Sequence, residues 1–384
     1  KLAAGDRNAG MAELESLAAE ADSAELYRRL AVAHLGHGEF DRAIDALQRE
    51  REGGRESDTN ALLLEAMALM GQGQLDDAEQ LLRQAVDQDP NDLDAQFAWA
   101  ELLMQRGDLQ EALTRMTAVA EDHPTRVEAQ INLARLELMT LRESQALERL
   151  KRLTQANPQR ADVRLALIEA YLSQQRWEEA REAIARATDP RAPGFLLANG
   201  LLALGEARIN DAVAVLTEAA EAAPGSVKIK LTLARALQMQ QDFDAALAQL
   251  DRASEMAPES KAVRIERIRQ VLLHPTPPKD RWASAKRELA QLQQTDLQDA
   301  QVVQLAGIWA MRRDKQQQGI ALLELAYDNL KNSDSAIIYA DALWALDRKP
   351  EANSVLVSWL DTHPADELVR ARLRVYRERE SGEE

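Results

Sequence analysis

Prolines recur along this chain at a fixed interval: Pro90, Pro124 and Pro158 lie 34 residues apart, and Pro224 and Pro258 repeat the spacing. A proline ends a helix because it lacks an amide hydrogen and its ring clashes with the preceding turn. In "DQDPNDLDAQ" and "AEAAPGSVKI" helical sequence flanks it on both sides, so each proline stops one helix and leaves the next free to start. A period near 34 residues with two helices per period buries its apolar faces by stacking one helical hairpin on the next. Running the frame in both directions gives full repeats starting near Ala24, Thr59, Leu93, Val127, Ala161, Pro193, Val227, Lys261, Asp299 and Ser333, which makes ten hairpins.

Composition narrows the possibilities. A chain of 384 residues exceeds what one compact core usually serves, so several domains or a repeat array are expected. Only 4% of residues are aromatic, and 16 glycines and 12 prolines punctuate a chain dominated by Ala and Leu, the proportions of an all-helical protein. The net charge of −17 repels phosphate backbones and anionic lipid, so no nucleic-acid partner is expected. No apolar run reaches the length of a membrane-spanning helix. Cysteine is absent, which removes disulfides, thiolate metal sites and a Cys nucleophile and is compatible with cytoplasm and periplasm alike.

Each hairpin carries small residues at two fixed places. The eighth position of the first helix reads Ala31, Ala66, Ala100, Ala134, Gly200, Ala234, Ala306 and Ala340, with Ile168 and Ile268 departing. The twentieth position of the repeat reads Ala43, Ala78, Ala112, Ala146, Ala180, Ala212, Ala246 and Ala352, with Gly319 in the ninth repeat. Helices that cross closely at these points leave no room for a longer side chain. Turns such as "GHGEFDRA", "GQGQLDDA" and "QRGDLQEA" place Gly38, Gly73 and Gly107 where a left-handed residue ends the first helix. Ten such units in register resemble tetratricopeptide repeats over nearly the whole chain. The resemblance implies an all-α fold, a right-handed superhelical solenoid of stacked antiparallel helix pairs, whose first helices line a concave face that binds partner segments.

Within this frame, residues 1–23 are expected to supply the second helix of a truncated repeat, 24–260 seven regular repeats, 261–366 three divergent repeats with a Pro-rich loop at 274–280, and 367–384 a polar capping helix. The apolar face of Met11, Leu14 and Leu17 wants a neighbour, so the chain is expected to be the C-terminal piece of a longer repeat protein. The loop in "LLHPTPPKDRW" holds Pro275, Pro277 and Pro278 and is expected to be stiff and extended, as a tolerated insertion, a hinge or a docking point.

Carrying the family's second, fifth, ninth and twelfth positions onto this sequence gives a groove of Leu63, Met67, Met70, Phe97, Met104, Ile131, Leu138, Leu165, Leu172, Leu197, Leu201, Leu204, Leu231, Ile265 and Leu272, flanked by Glu101, Arg135, Glu169, Arg235 and Arg269. A shift of one residue turns a groove position into a packing position, so about half of the apolar set is expected to be core. The remainder suits an amphipathic helix or apolar peptide, with methionines adapting their shape. The Lys and Asn clamp with which chaperone-adaptor members hold a C-terminal carboxylate is not expected, since the fifth position is apolar in nearly every repeat.

No catalytic constellation stands out. "GQGQLD" lacks the third glycine of a dinucleotide loop and follows a helix, and no phosphate loop, zinc helix or nucleophile elbow occurs. His34 and His37 have no third ligand and are expected on the surface, while His123, His274 and His363 fall in loops between helices. No enzyme activity and no cofactor or metal are expected. The leading expectation is an interaction scaffold for protein or peptide segments; the alternative is a regulatory or substrate-recognition region of a larger enzyme or transcription regulator. The Ala-, Leu- and Arg-rich units and the ending "LWALDRKPEANSVLVSWLDTHPADELVRARLRVY" also resemble tetratricopeptide lipoproteins of bacterial exopolysaccharide and PEP-CTERM systems. That likeness implies a periplasmic scaffold tethered through a lipid anchor outside this chain, against a cytoplasmic alternative.

Overall fold

The computed structural model describes residues 7–21, 23–36, 39–52, 58–258, 260–296 and 298–381. Among them twenty-two helices follow one another without a strand. Helix α1 spans Arg7–Ala21. In chain order it is followed by α2 Ala24–Gly36 and α3 Phe40–Glu52, α4 Thr59–Gln72 and α5 Leu75–Gln88, α6 Leu93–Arg106 and α7 Leu109–Asp122, and α8 Val127–Met139 and α9 Glu143–Ala156. Next come α10 Ala161–Ser173 and α11 Trp177–Ala185, α12 Pro193–Gly205 and α13 Ile209–Ala222, α14 Val227–Met239 and α15 Phe243–Met256, and α16 Lys261–Leu273 and α17 Lys279–Thr295. The last are α18 Ala300–Met311 and α19 Gln316–Leu330, α20 Ser333–Ala345 and α21 Lys349–Thr362, and α22 Glu367–Ser381. The fold class is the expected one, all-α with helix pairs stacked in sequence. No helix among the described residues is long and apolar enough to cross a membrane. The helices pack into two compact units: an N-terminal unit of residues 1–170 with 257–259, and a C-terminal unit of residues 171–256 with 260–384.

Local chemistry accounts for the helix ends. The residue before a proline is pushed out of the helical region, and Asp89, His123, Asn157 and Ala223 all adopt φ between −123 and −139° ahead of their prolines. The next helix is capped shortly afterwards where the sequence allows: Asp92 accepts from the amides of Asp94 and Ala95, and Ser226 from that of Ile229. The turn inside the hairpin is left-handed. Gly73 and Gly107 take φ of 78 and 86° and close α4 and α6. Gly38 lies outside the described residues. At the corresponding turns of later repeats Leu141, Gln175, Ala207, Gln241, Asp314 and Asp347 are forced into the same conformation, with φ of 56 to 68°.

The small positions are the contact points of each hairpin. Ala31, Ala66, Ala134 and Ala340 in first helices, and Ala43, Ala78, Ala112 and Ala146 in second helices, are all fully buried. Gly200 shows how little space is left: a Cβ there would come within 2.5 Å of Leu216. Between α18 and α19 both sides are glycine, and a Cβ on Gly319 would meet the Met311 sulfur at 2.6 Å and its backbone nitrogen at 3.0 Å. The two departing positions, Ile168 and Ile268, are buried as well.

The Pro-rich loop between α16 and α17 is extended at its ends and tied down in the middle. His274 and Pro278 have ψ of 127 and 139°. The buried His274 ring lies 5.4 Å from Phe243, its Nδ1 accepts from the Thr276 amide at 3.0 Å, and Arg312 donates to its carbonyl. Repeats of the N-terminal unit are also joined through charges. Arg160 donates to Glu128 on α8 and to Asp162 on α10, each at 2.6 Å, and these bonds hold both carboxyls below their ordinary values of 4.5 and 3.8.

Leu141 is 85% exposed, so Leu141→Gly removes left-handed strain without losing packing. It is expected to stabilise the N-terminal unit by about 0.5–1 kcal/mol. Gly319→Ala is expected to cost about 1–3 kcal/mol, because backbone must shift to admit one methyl. Urea unfolding followed by circular dichroism measures both. A carboxylate whose pKa falls on folding adds stability above its unfolded pKa, and that share vanishes as pH drops through the lowered value. Melting temperature is therefore expected to fall below about pH 4.5, and Arg160→Gln, already less stable at neutral pH, to show the shallower decline.

Candidate functional site

Side chains at successive first helices decide where a surface can form. In the N-terminal unit α2 packs on α4, α4 on α6 and α6 on α8, and in the C-terminal unit α12 packs on α14, α14 on α16, α16 on α18 and α20 on α22. Among the described residues no two successive second helices pack comparably. Each stack therefore curves with its first helices on the inside, and the predicted groove positions lie on those helices.

The N-terminal unit keeps part of that surface open. Met67 on α4 is 43% exposed, Glu101 on α6 is exposed, and Phe97, Met104, Leu138 and Leu165 are half-buried. Phe97 and Met104 rest on the core formed by Trp99, Leu102, Leu103 and Leu133 and show their outer edges to solvent. Arg135 on α8 reaches Glu169 on α10 at 3.6 Å, both about half exposed. Leu63, Met70 and Ile131 are buried between repeats. The open strip thus alternates apolar and charged side chains along four first helices.

In the C-terminal unit more of the equivalent positions are buried. Leu197, Leu204, Ile265 and Leu272 are buried, and Leu201 and Leu231 are half-buried. Arg269 is buried and bonds Glu266 at 2.7 Å, one turn before it. Arg235 on α14 forms an ion pair with Asp334 on α20, three repeats further along the chain. Coulombic attraction to Asp334 raises the Arg235 pKa above its ordinary value. Arg235 still keeps 42% of its side chain accessible. The C-terminal side of this face is polar too: Tyr376 and Arg372 on α22 donate to Asp341 on α20 at 2.5 and 2.9 Å, and desolvation raises the Asp341 and Tyr376 pKa values.

One histidine departs from expectation. His34 is not on the surface but 2% exposed, with Nδ1 2.7 Å from a Glu39 carboxylate oxygen and Nε2 3.7 Å from Glu15 on α1. Helix α1 packs on α2 and brings Glu15 to this ring. His37 lies outside the described residues. Among the described residues no three His, Asp or Glu side chains gather as a metal site. Pairing of Arg235 with a residue 99 positions away left no sequence signal, because an ion pair between separate helices has no period.

The geometry defines a helical-repeat solenoid of antiparallel helix pairs stacked in sequence. The family model described as tetratricopeptide repeat matches residues 69–136, 103–154, 142–193 and 203–265, so these stretches are tetratricopeptide repeats. No curated protein matches it. Among solved structures it is similar to the APC/C hetero-tetramer Cut9–Hcn1, with 12% identity and a TM-score of 0.50 over 99% of this chain and 82% of that one, a likeness of fold. Tetratricopeptide repeat proteins of Parabacteroides merdae (16% identity, TM-score 0.45, 65% of this chain and 98% of that one) and Thermus thermophilus (25%, 0.41, 50% and 97%) are also similar. Repeats of this family support the broad class of protein–protein interaction scaffold.

If the open strip is surface and the buried positions are core, stability separates them. Glu101→Gln and Arg135→Ala are expected to change unfolding free energy by less than about 0.5 kcal/mol, and Ile131→Ala to cost about 2–4 kcal/mol. Denaturant titrations of the three variants test the division.

Proposed function

We propose that the chain is a non-enzymatic scaffold whose N-terminal unit binds an amphipathic helix with basic flanks along α4, α6, α8 and α10. The observation that carries this reading is the contrast between the two inner faces. Met67, Phe97, Glu101 and Met104 remain available on one, while the other is filled by Leu197, Ile265 and Arg269 and bridged by Arg235 and Asp334. An apolar strip at helical spacing suits the apolar stripe of a partner helix, and methionines adapt to more than one side chain. Charge supports the choice of flanks. Residues 1–170 hold 32 acidic against 19 basic side chains, whereas residues 171–384 hold 32 against 28. An acidic surface speeds encounter with a basic segment and disfavours an acidic one.

The proposal extends to a setting in bacterial envelope or exopolysaccharide assembly, in the periplasm and tethered by a lipid-bearing segment. Its support is the likeness of the Ala-, Leu- and Arg-rich repeats to lipoproteins of those systems. Fractionation of cells producing the full-length protein tests it, and a cytoplasmic protein without a lipid anchor rules it out.

Two synthetic amphipathic peptides with one shared apolar face, flanked by Lys or by Glu, test the binding mode by fluorescence anisotropy. The basic peptide is expected to bind at least about tenfold more tightly, with affinity falling as salt rises. Met67→Glu, at an exposed position, is expected to weaken it by about tenfold or more without lowering the melting temperature. Equal affinity for both peptides removes the charge argument, and unchanged affinity in Met67→Glu and Phe97→Glu moves the site off this face.

A further inference from the structure

The C-terminal unit touches itself at places far apart in sequence. Helix α22 packs on α12, five repeats earlier. Beside that contact the Trp177 indole Nε1 donates to the Ala365 carbonyl at 3.1 Å, linking residues 188 positions apart. Neither partner is loosely held. The Trp177 ring lies over Gly205 at the end of α12, where a Cβ would come within 2.5 Å of it, so only glycine admits the indole. Ala365 precedes Asp366, a buried carboxylate that accepts from Trp359 Nε1 at 2.7 Å, Ser333 Oγ at 2.6 Å and the Val369 amide at 3.1 Å. Ala365 is therefore presented from a rigid turn.

Further inside, Arg235 on α14 meets Asp334 in the first turn of α20. Their side chains touch directly, so the space between them is closed to another element. A helix cannot lie between them. Yet these contacts are few and polar. Arg235 keeps 42% and Asp334 27% of its side chain accessible, so water and salt reach the pair and weaken it.

We propose that the C-terminal unit is a latched solenoid: the Trp177–Ala365 hydrogen bond and the Arg235–Asp334 ion pair fold its last helix back onto α12 and shut its own concave face, which opens when these contacts are lost. The device is an intramolecular closure of one unit, and it stands or falls independently of what the N-terminal unit binds. Opening frees the Arg235 guanidinium from Asp334 for a partner that the closed form excludes.

The chain has no cysteine, so Ala185→Cys on α11 and Arg377→Cys on α22, both at exposed positions, carry spin labels cleanly. Pulsed electron–electron double resonance on the full chain is expected to give one narrow distance distribution in low salt. Adding Trp177→Phe, which keeps a ring over Gly205 but donates no hydrogen bond, and Arg235→Gln is expected to broaden it and shift most of the population to longer distances at unchanged helicity. A broad distribution in the labelled parent, or one that the double variant leaves unchanged, overturns the latch. Should the double variant lose helicity, a charge exchange decides: Arg235→Asp alone opens the unit, and Arg235→Asp with Asp334→Arg recloses it. Failure of the exchange to restore the narrow distribution equally overturns the proposal.

Discussion

Close approach between the two helices of each hairpin is the constraint on which everything else rests. Ala66 faces a neighbour that contributes Ala78, and Ala134 one that contributes Ala146, with no accessible surface at any of the four. At such a crossing the backbones approach until only a methyl group or a hydrogen fits. Gly200 against Leu216, and the paired Gly307 and Gly319, mark the tightest places. With the crossing fixed, the leucines on either side interdigitate, and every hairpin presents the same two faces to the next. A solenoid is the result of repeating that geometry.

Curvature follows from the same packing. Most first helices touch the first helix of the next repeat, and among the described residues successive second helices do not pack in this way, so the inner wall is built largely from one helix of each pair. What that wall offers depends on its side chains. In the N-terminal unit Met67 and Glu101 stay open to solvent and the Arg135–Glu169 pair bridges only adjacent repeats. In the C-terminal unit Arg235 spans three repeats and α22 returns to α12. One repeat motif thus yields an accessible face and a self-occupied one, and the difference lies in a few polar residues at otherwise equivalent positions.

Much of the fold was legible in the residues. The proline ladder marks helix ends because proline and the residue before it obey local rules, and Asp89, His123 and Asn157 show those rules at work. Gly73 and Gly107 were legible for the same reason, whereas Leu141 and Gln241, held left-handed at equivalent turns, were not, since the repeat's packing overrides their local preference. Groove positions were legible only as a set. Frame and period place Met67, Met70 and Ile131 on one kind of helix face, but the neighbouring repeat covers Met70 and Ile131 and leaves Met67 open.

The sequence by itself determined the helix pairs, their spacing and the small residues at their crossings, because each depends on interactions within about one repeat. Tertiary structure alone decided that Arg235 finds Asp334 and that Trp177 finds Ala365. Those contacts join residues from 99 to 188 positions apart, and their formation depends on curvature accumulated over several repeats. A small rotation at each interface adds up to a large displacement at the far end, and no local pattern of residues records that sum.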